Sequence, residues 1–311
     1  MSAPSNIPLP ASEVIDRLRP DTSVHVKFKP HGDTEERGAE PRFLIGYWSI
    51  RGLAAPLRML LHAAKVDHIV AAYDLSEEEA GDGWTKSAYL LDREWIRSDV
   101  DPLVNLPFLV DRVNNVVVAQ TNACFSYLGK ELGMFGINKE QEAKCEELLC
   151  EIMDLRNVMV GYAYGGSPDA HAAAINSAKV HLEKLEQYIK FQLHVKSKNG
   201  GKKRKVEVSP YLVGDSFTSP DFHLFEMLDQ FECLCEAKSV DLWGDQFVHL
   251  KQWKALFSSL PENKAYLDSQ FHTEWPFNNS FAIFGSAPKA ATYVRGQATP
   301  WKGQGSTTCA Y

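Results

Sequence analysis

Residues 42–73 read RFLIGYWSIRGLAAPLRMLLHAAKVDHIVAAY. RFLIGYW is a short apolar run, which suits a buried strand. After the turn SIRGLAAP, LRMLLHAAK has helical spacing, with Pro56 tolerated in the first turn. HIVAAY (68–73) is a second apolar run and a second strand. Strand, helix, strand within about 30 residues is the βαβ unit of an α/β sheet. An acidic linker follows, SEEEAGDGW (76–84). LPFLVD and NNVVVAQ then form a hairpin about the turn Arg112–Asn115. TNACFSYLGKEL (121–132) is the closing helix. The order is βαβ followed by ββα.

The second half reads as helix. Residues 138–164 and 169–195 form two long amphipathic helices joined by GGSPD. TSPDFHLFEMLDQF (218–231) is a third, with more helix near 246–258 and 262–271. The fold class is α/β plus all-α, with the boundary at GMFGIN. This divides the chain into an N-terminal extension (1–41), an α/β domain (42–133), a helical domain (138–280) with an inserted basic loop (195–208), and a C-terminal tail (281–311). The extension is rich in proline and has one helix start, SEVIDRL (12–18), with Ser12 as N-cap. It reads as an arm that is partly ordered and draped on the body, or mobile.

Composition excludes several classes. The chain has 311 residues, 44% apolar and 23% charged, with a net charge of −7. Mild acidity argues against nucleic acid as the main partner. No run reaches the roughly 18 apolar residues of a membrane span. The first thirty residues lack the apolar core of a secretory signal. The six cysteines are too sparse for a disulfide scaffold and form no paired metal knuckle. Cys233 and Cys235 read as small buried residues of a helix. No metal is expected, and the location expected is the cytoplasm.

Four motifs carry a resemblance. GYWSIRGLAAPLRMLL (46–61), NLPFLVD (105–111), AQTNACFSYL (119–128) and YLVGDSFTSPDF (211–222) fall in the order, and near the spacing, of the cytosolic glutathione transferases. The first closely resembles the opening of mu-class enzymes. The resemblance covers about residues 42–280. It implies a thioredoxin-like domain followed by a helical bundle, glutathione as co-substrate with no permanently bound cofactor, and a homodimer.

The residues support chemistry of that kind. Tyr47 ends the first strand, where its side chain can project into a cleft. A phenol with a pKa of about 10 stays protonated at neutral pH. It can therefore donate a hydrogen bond to a thiolate, which lowers the thiol pKa. Read alone, Tyr47 is better taken as a strand-end aromatic with a satisfied hydroxyl, and its setting in GYWSIRG reverses that reading. Pro107 opens a strand, where its missing N–H costs no ladder bond. The resemblance implies a cis Leu106–Pro107 bond and pairing of the Leu106 backbone with a bound tripeptide. Gln120 and Thr121 stand at a helix N-terminus, where free N–H groups favour a carboxylate.

Further site residues come from the resemblance. Trp48 lies beside Tyr47 at the glutathione site. Trp95, in DREWIR, matches a tryptophan at the glycine end of glutathione. The basic residue expected four positions later is Asp99, and Arg97 or else Arg93 is the substitute, at the start of what reads as a shortened loop. Asn105 flanks the tripeptide. Asp154 matches an aspartate that reaches the neighbouring subunit's glutathione. Tyr164 matches a second tyrosine over the electrophile pocket, which Leu53 and Arg156 also line. Two dimer contacts depart from the mu pattern: Leu103 replaces the lock aromatic and Ser126 the stacking arginine.

Thr218 and Asp221 have capping-box spacing and are read as structural, worth about 1–2 kcal/mol. KKRK (202–205) is either a solvated loop or an anion patch or import signal. The tail can pack over the electrophile pocket or a partner. The function expected is conjugation of glutathione to apolar electrophiles. The alternatives are a non-catalytic subunit, with arm or tail joining a larger assembly, and a glutathione-dependent isomerase or peroxidase.

Overall fold

The computed structural model describes residues 9–18, 23–28, 40–73, 76–77, 84–85, 87–199, 207–286 and 305–309. The KKRK motif and most of the tail lie outside them. The chain begins with α1 (Ala11–Arg17), β1 (Ser23–Phe28), β2 (Phe43–Trp48), α2 (Ala55–Ala63) and β3 (His68–Tyr73). Next come β4 (Ser76–Glu77), β5 (Trp84–Thr85), α3 (Ser87–Asp99), β6 (Phe108–Asp111), β7 (Val116–Ala119) and α4 (Thr121–Glu131). The helical part starts with α5 (Lys139–Val160), which runs into a π-helical turn (Gly161–Gly165) and a 3-10 turn (Pro168–Ala170). It continues through α6 (His171–Asn199), α7 (Ser219–Ala237), α8 (Val248–Ser258), α9 (Pro261–Leu267) and α10 (Gln270–Thr273), and β8 (Gly305–Cys309) comes last.

The βαβ–ββα reading describes four strands of a six-stranded sheet ordered β7-β6-β2-β3-β1-β8. β2 runs parallel to β3 and antiparallel to β6, with Phe43 opposite both His68 and Asp111. The two added strands come from the chain ends. β1 pairs antiparallel with β3 from Ser23↔Ala71 to Val26↔His68, and β8 pairs parallel with β1. Without β1, the fully buried strand HIVAAY would present an unpaired edge. Part of the arm is therefore built into the sheet. Ser12 does not cap α1: Pro10 holds the N-cap position, and Asn115 Oδ1 accepts from Ala11 N–H at 2.6 Å.

Side chains alternate across the sheet and sort into two cores. Phe43, Ile45 and Tyr47 face the larger core, which includes α2, α4 and the helical bundle. Leu44, Ile69, Tyr73 and Val110 face a smaller core with Val14, Tyr89 and Ile96. This two-residue period aims Tyr47 at the domain junction. α3 was not anticipated. Its buried positions, Tyr89, Asp92 and Ile96, have helical spacing, but Asp92 breaks the apolar stripe. Trp95 and Arg97 consequently lie on a helix, not in a shortened loop. Cys233 and Cys235 are buried on α7, which runs past Phe231 to Ala237.

Two polar clusters join the halves. Arg51, buried in the turn after β2, donates to Glu226 (2.7 Å) and Asp229 (2.8 Å) of α7. Asp221 completes the capping box by accepting from Thr218 N–H (2.7 Å) and Oγ1 (2.9 Å). It also accepts from Leu212 N–H at 2.7 Å, so it ties down the loop before α7 as well. Burial pushes its carboxyl up to about 7, against these three donors.

Candidate active site

Tyr47 ends β2 on the face toward the bundle and is buried. Its hydroxyl oxygen accepts from Leu53 N–H at 3.1 Å, leaving the phenolic proton free for a ligand. Burial raises its pKa above the ordinary 10, with Arg156 pulling the other way. The hydroxyl is therefore a proton donor at neutral pH. Gly52 makes this arrangement possible. It has φ +42°, and a Cβ there would sit 2.6 Å from both Tyr47 Cε1 and the hydroxyl oxygen. Sequence reasoning did not single out Gly52, although a glycine one residue before a turn's last donor is a readable signal.

Arg156 and Tyr164 stand across the junction from Tyr47. Arg156 is half-buried on α5 and interacts electrostatically with both phenols. Desolvation lowers its pKa. It makes no hydrogen bond or ion pair among the described residues. Tyr164 sits in the π-helical turn, where its hydroxyl oxygen accepts from Asn279 N–H at 2.8 Å. Its pKa is pushed up, chiefly by burial.

The segment after α10 clamps these parts together. Arg51 N–H donates to Pro276 O (2.7 Å), Gly52 N–H to Phe277 O (3.0 Å) and Ile283 N–H to Ala163 O (2.8 Å). Residues 276–283 thus bridge the turn behind Tyr47 and the turn carrying Tyr164. Only the start of the tail, from Phe281, was read as a possible cover for this region. Its apolar residues carry no periodicity that would mark such a bridge.

The second group of candidates lies along the sheet. The Leu106–Pro107 peptide is cis. Leu106 is half-buried and precedes β6, and the Tyr89 hydroxyl interacts with its backbone. Gln120 is exposed, caps α4 and has φ +72°. That strained conformation for a non-glycine residue costs about 1–3 kcal/mol. Thr121 is buried in the first turn of α4. Trp48 packs edge-on against Tyr89 and Tyr73. Asn105 is exposed and accepts from Tyr89 Oη at 3.1 Å.

Other candidates are engaged locally or face outward. Trp95 donates its indole N–H to Asp92 at 3.2 Å. Arg97 Nε donates to Val104 O at 2.8 Å. The cation beside Trp95 comes from the arm: Arg17 lies 5.5 Å over its ring and pairs with Asp99 at 3.5 Å. Asp154 is exposed on α5. Leu103 is 72% exposed, and Ser126 donates to Glu146 at 2.9 Å. Among the described residues there is no cluster suited to a metal ion and no helix long and apolar enough to cross a membrane.

A βαβ–ββα domain with a cis-proline strand, joined to a helical bundle with a tyrosine at the junction, defines a protein of glutathione transferase architecture. Comparison with known proteins agrees. Residues 153–270 match the family model described as glutathione S-transferase, C-terminal domain. The chain is 29% identical over 227 residues to glutathione S-transferase Mu 1 of Oryctolagus cuniculus, covering 72% of this chain and 90% of that protein. Human glutathione S-transferase Mu 3 is 27% identical over 252 residues, covering 80% and 98%. The class-mu 26 kDa isozyme 1 of Fasciola hepatica is 28% identical over 242 residues, covering 78% and 93%. The crystal structure of the glutathione S-transferase Blo t 8 shares the fold, with a TM-score of 0.59 and 23% identity over 78% of this chain and 99% of that one. Over most of its length the chain is thus similar to glutathione S-transferases of the mu class.

Proposed function

We propose that the protein conjugates reduced glutathione to electrophiles, with Tyr47 stabilising the thiolate. The observation that carries this is the Tyr47 hydroxyl. It is buried at the domain junction, protonated at neutral pH, and held by Leu53 N–H so that its own proton is free. Donated to a thiolate, that proton favours the anion. Lowering a thiol pKa by two units from about 8.5 takes about 2.7 kcal/mol. One desolvated charge-assisted hydrogen bond and the nearby Arg156 charge can supply it.

Glutathione would lie along the sheet end. The Leu106 backbone would pair with the tripeptide, beside Asn105, Pro107 and Trp48. The N-terminus of α4, with Gln120 and Thr121, would receive a carboxylate. Trp95 and Arg97 border the glycine end, where they would exchange their bonds to Asp92 and Val104 for the ligand. The electrophile would enter between Leu53, Arg156 and Tyr164. Asp154 would reach the neighbouring subunit of a homodimer in the cytoplasm. A monomer in sedimentation at micromolar concentration would remove that role from Asp154.

The name shared by the relatives supports conjugation over a non-catalytic subunit or an isomerase. The test is a pH titration of bound glutathione by ultraviolet difference absorbance. We expect a thiol pKa well below the free value, restored in Tyr47→Phe. Binding without a shift would defeat the Tyr47 mechanism.

A further inference from the structure

A cavity lies within the helical domain, between α6, α8 and the loop before α7. It encloses about 390 Å³, counted out to its open mouth, which is within the range of small-molecule sites. Ile189 and Leu193 of α6, Leu212 of the loop and Trp253 of α8 form its apolar walls. None of the residues that line it belongs to the Tyr47 junction.

The walls are fixed without a ligand. Tyr188 donates its hydroxyl proton to Leu212 O at 2.8 Å, and Leu212 N–H donates to Asp221 at 2.7 Å. The loop is therefore tied to α6 on one side and to α7 on the other. Trp253 stacks on Phe257, with ring centroids 5.1 Å apart and planes 14° from parallel, so its ring is set as well. A preformed cavity loses little ordering entropy on binding.

One group in this wall is unmatched. Trp253 is fully buried, and its indole N–H has no hydrogen-bond partner among the described residues. A buried tryptophan N–H ordinarily has one, and leaving it unmet is destabilising. The nearby polar groups serve each other: Tyr188 is held by Leu212, and Ser209 Oγ accepts from Tyr211 N–H at 3.2 Å. Glu207 stands exposed at the rim, and among the described residues no lysine or arginine lines the cavity.

We propose that this cavity is a second binding site, apart from the Tyr47 junction, for a neutral single-ring aromatic molecule carrying a carbonyl oxygen. The ring packs against Tyr188 and Leu193, and the carbonyl accepts from the Trp253 indole N–H. Carboxylates are disfavoured, because Glu207 repels them and no lining cation offsets the burial of their charge.

The probe is acetophenone, with benzoate as its anionic counterpart. The full chain is labelled with the heavy nitrogen isotope, and its tryptophan indole signals are followed by NMR, that of Trp253 being assigned from through-bond spectra. We expect acetophenone to move the Trp253 signal downfield along a saturating curve, with Kd on the order of 1 mM. Benzoate should bind at least about tenfold more weakly. Trp253→Phe, followed through the probe's own signals, should bind acetophenone about 3- to 10-fold more weakly. Leu193→Phe fills the cavity and leaves the indole in place, so it should abolish the shift. Thermal melts confirm that both variants fold, and the comparison of the two probes on wild type needs neither. A Trp253 signal that stays put at about 10 mM acetophenone would overturn the proposal. Equal affinity for benzoate, unchanged binding by Trp253→Phe, or a shift that survives Leu193→Phe would also overturn it. The readout needs neither glutathione nor turnover, so it stands apart from the conjugation reading.

Discussion

Replacing Gly52 with alanine tests whether the turn after β2 positions the Tyr47 hydroxyl. The new Cβ would lie 2.6 Å from that oxygen and from Cε1, where ordinary contact begins at 3.4 Å. The ring would have to retreat by about 0.8 Å, the difference between those two distances. The 3.1 Å bond from Leu53 N–H would not survive such a shift. Alanine at φ +42° adds about 1–2 kcal/mol, and the lost hydrogen bond about 0.5–1.5 kcal/mol. Stability should fall by about 2–3 kcal/mol in urea unfolding. A hydrogen bond to a charged group is worth about 1.5–3 kcal/mol, so the glutathione thiol pKa should rise by about one to two units. Both are measurable on one preparation, by urea titration and ultraviolet difference titration. A folded Gly52→Ala protein with an unchanged thiol pKa would refute the positioning argument. A pKa rise equal to that of Tyr47→Phe would show that Gly52 acts wholly through the tyrosine.

Asp221→Ala should cost about 3–5 kcal/mol in urea unfolding, because Leu212 N–H and Thr218 N–H are left buried without acceptors. A loss under 1 kcal/mol would mean that water replaces the carboxylate. Burial holds His68 at about 4 and His223 at about 3, below the 6.5 of a free imidazole. The unfolded chain therefore binds protons that the folded one refuses. That stability is complete above pH 6.5 and is lost as pH falls toward 4. Tm should drop across that window. His223→Phe, which keeps the stack on Phe125, should make the drop shallower, and an unchanged slope would count against His223 as a contributor. Gln120→Gly should relieve the strain at φ +72° and raise stability by about 1 kcal/mol while weakening glutathione binding. Tighter binding in that variant would remove Gln120 from the site.

The local elements were legible where one physical pattern dominated. RFLIGYW, HIVAAY and the Arg112–Asn115 turn lie where periodicity and turn chemistry put them. The capping box at Thr218 was readable from its spacing, but the third bond, from Leu212, was not, because it closes a loop nine residues away. α3 was missed because buried Asp92, which bonds Tyr73 and Trp95, interrupts its apolar face. β1 was missed because a strand added from outside the βαβ–ββα unit depends on what it pairs with more than on its own composition.

By itself, the sequence determined the α/β and helical division, the strand that carries Tyr47, and the residue types suited to thiol chemistry. These follow from short-range rules: apolar period, breakers and caps act within a few residues. Tertiary structure alone decided that Gly52 holds Tyr47 through Leu53, and that a π-helical turn holds Tyr164 against Asn279. It alone placed residues 276–283 across both, and Arg17 of the arm over Trp95. Each is a contact between segments far apart in the chain or a local departure from regular geometry. Neither kind leaves a periodic trace, because its energy comes from the partner that folding supplies.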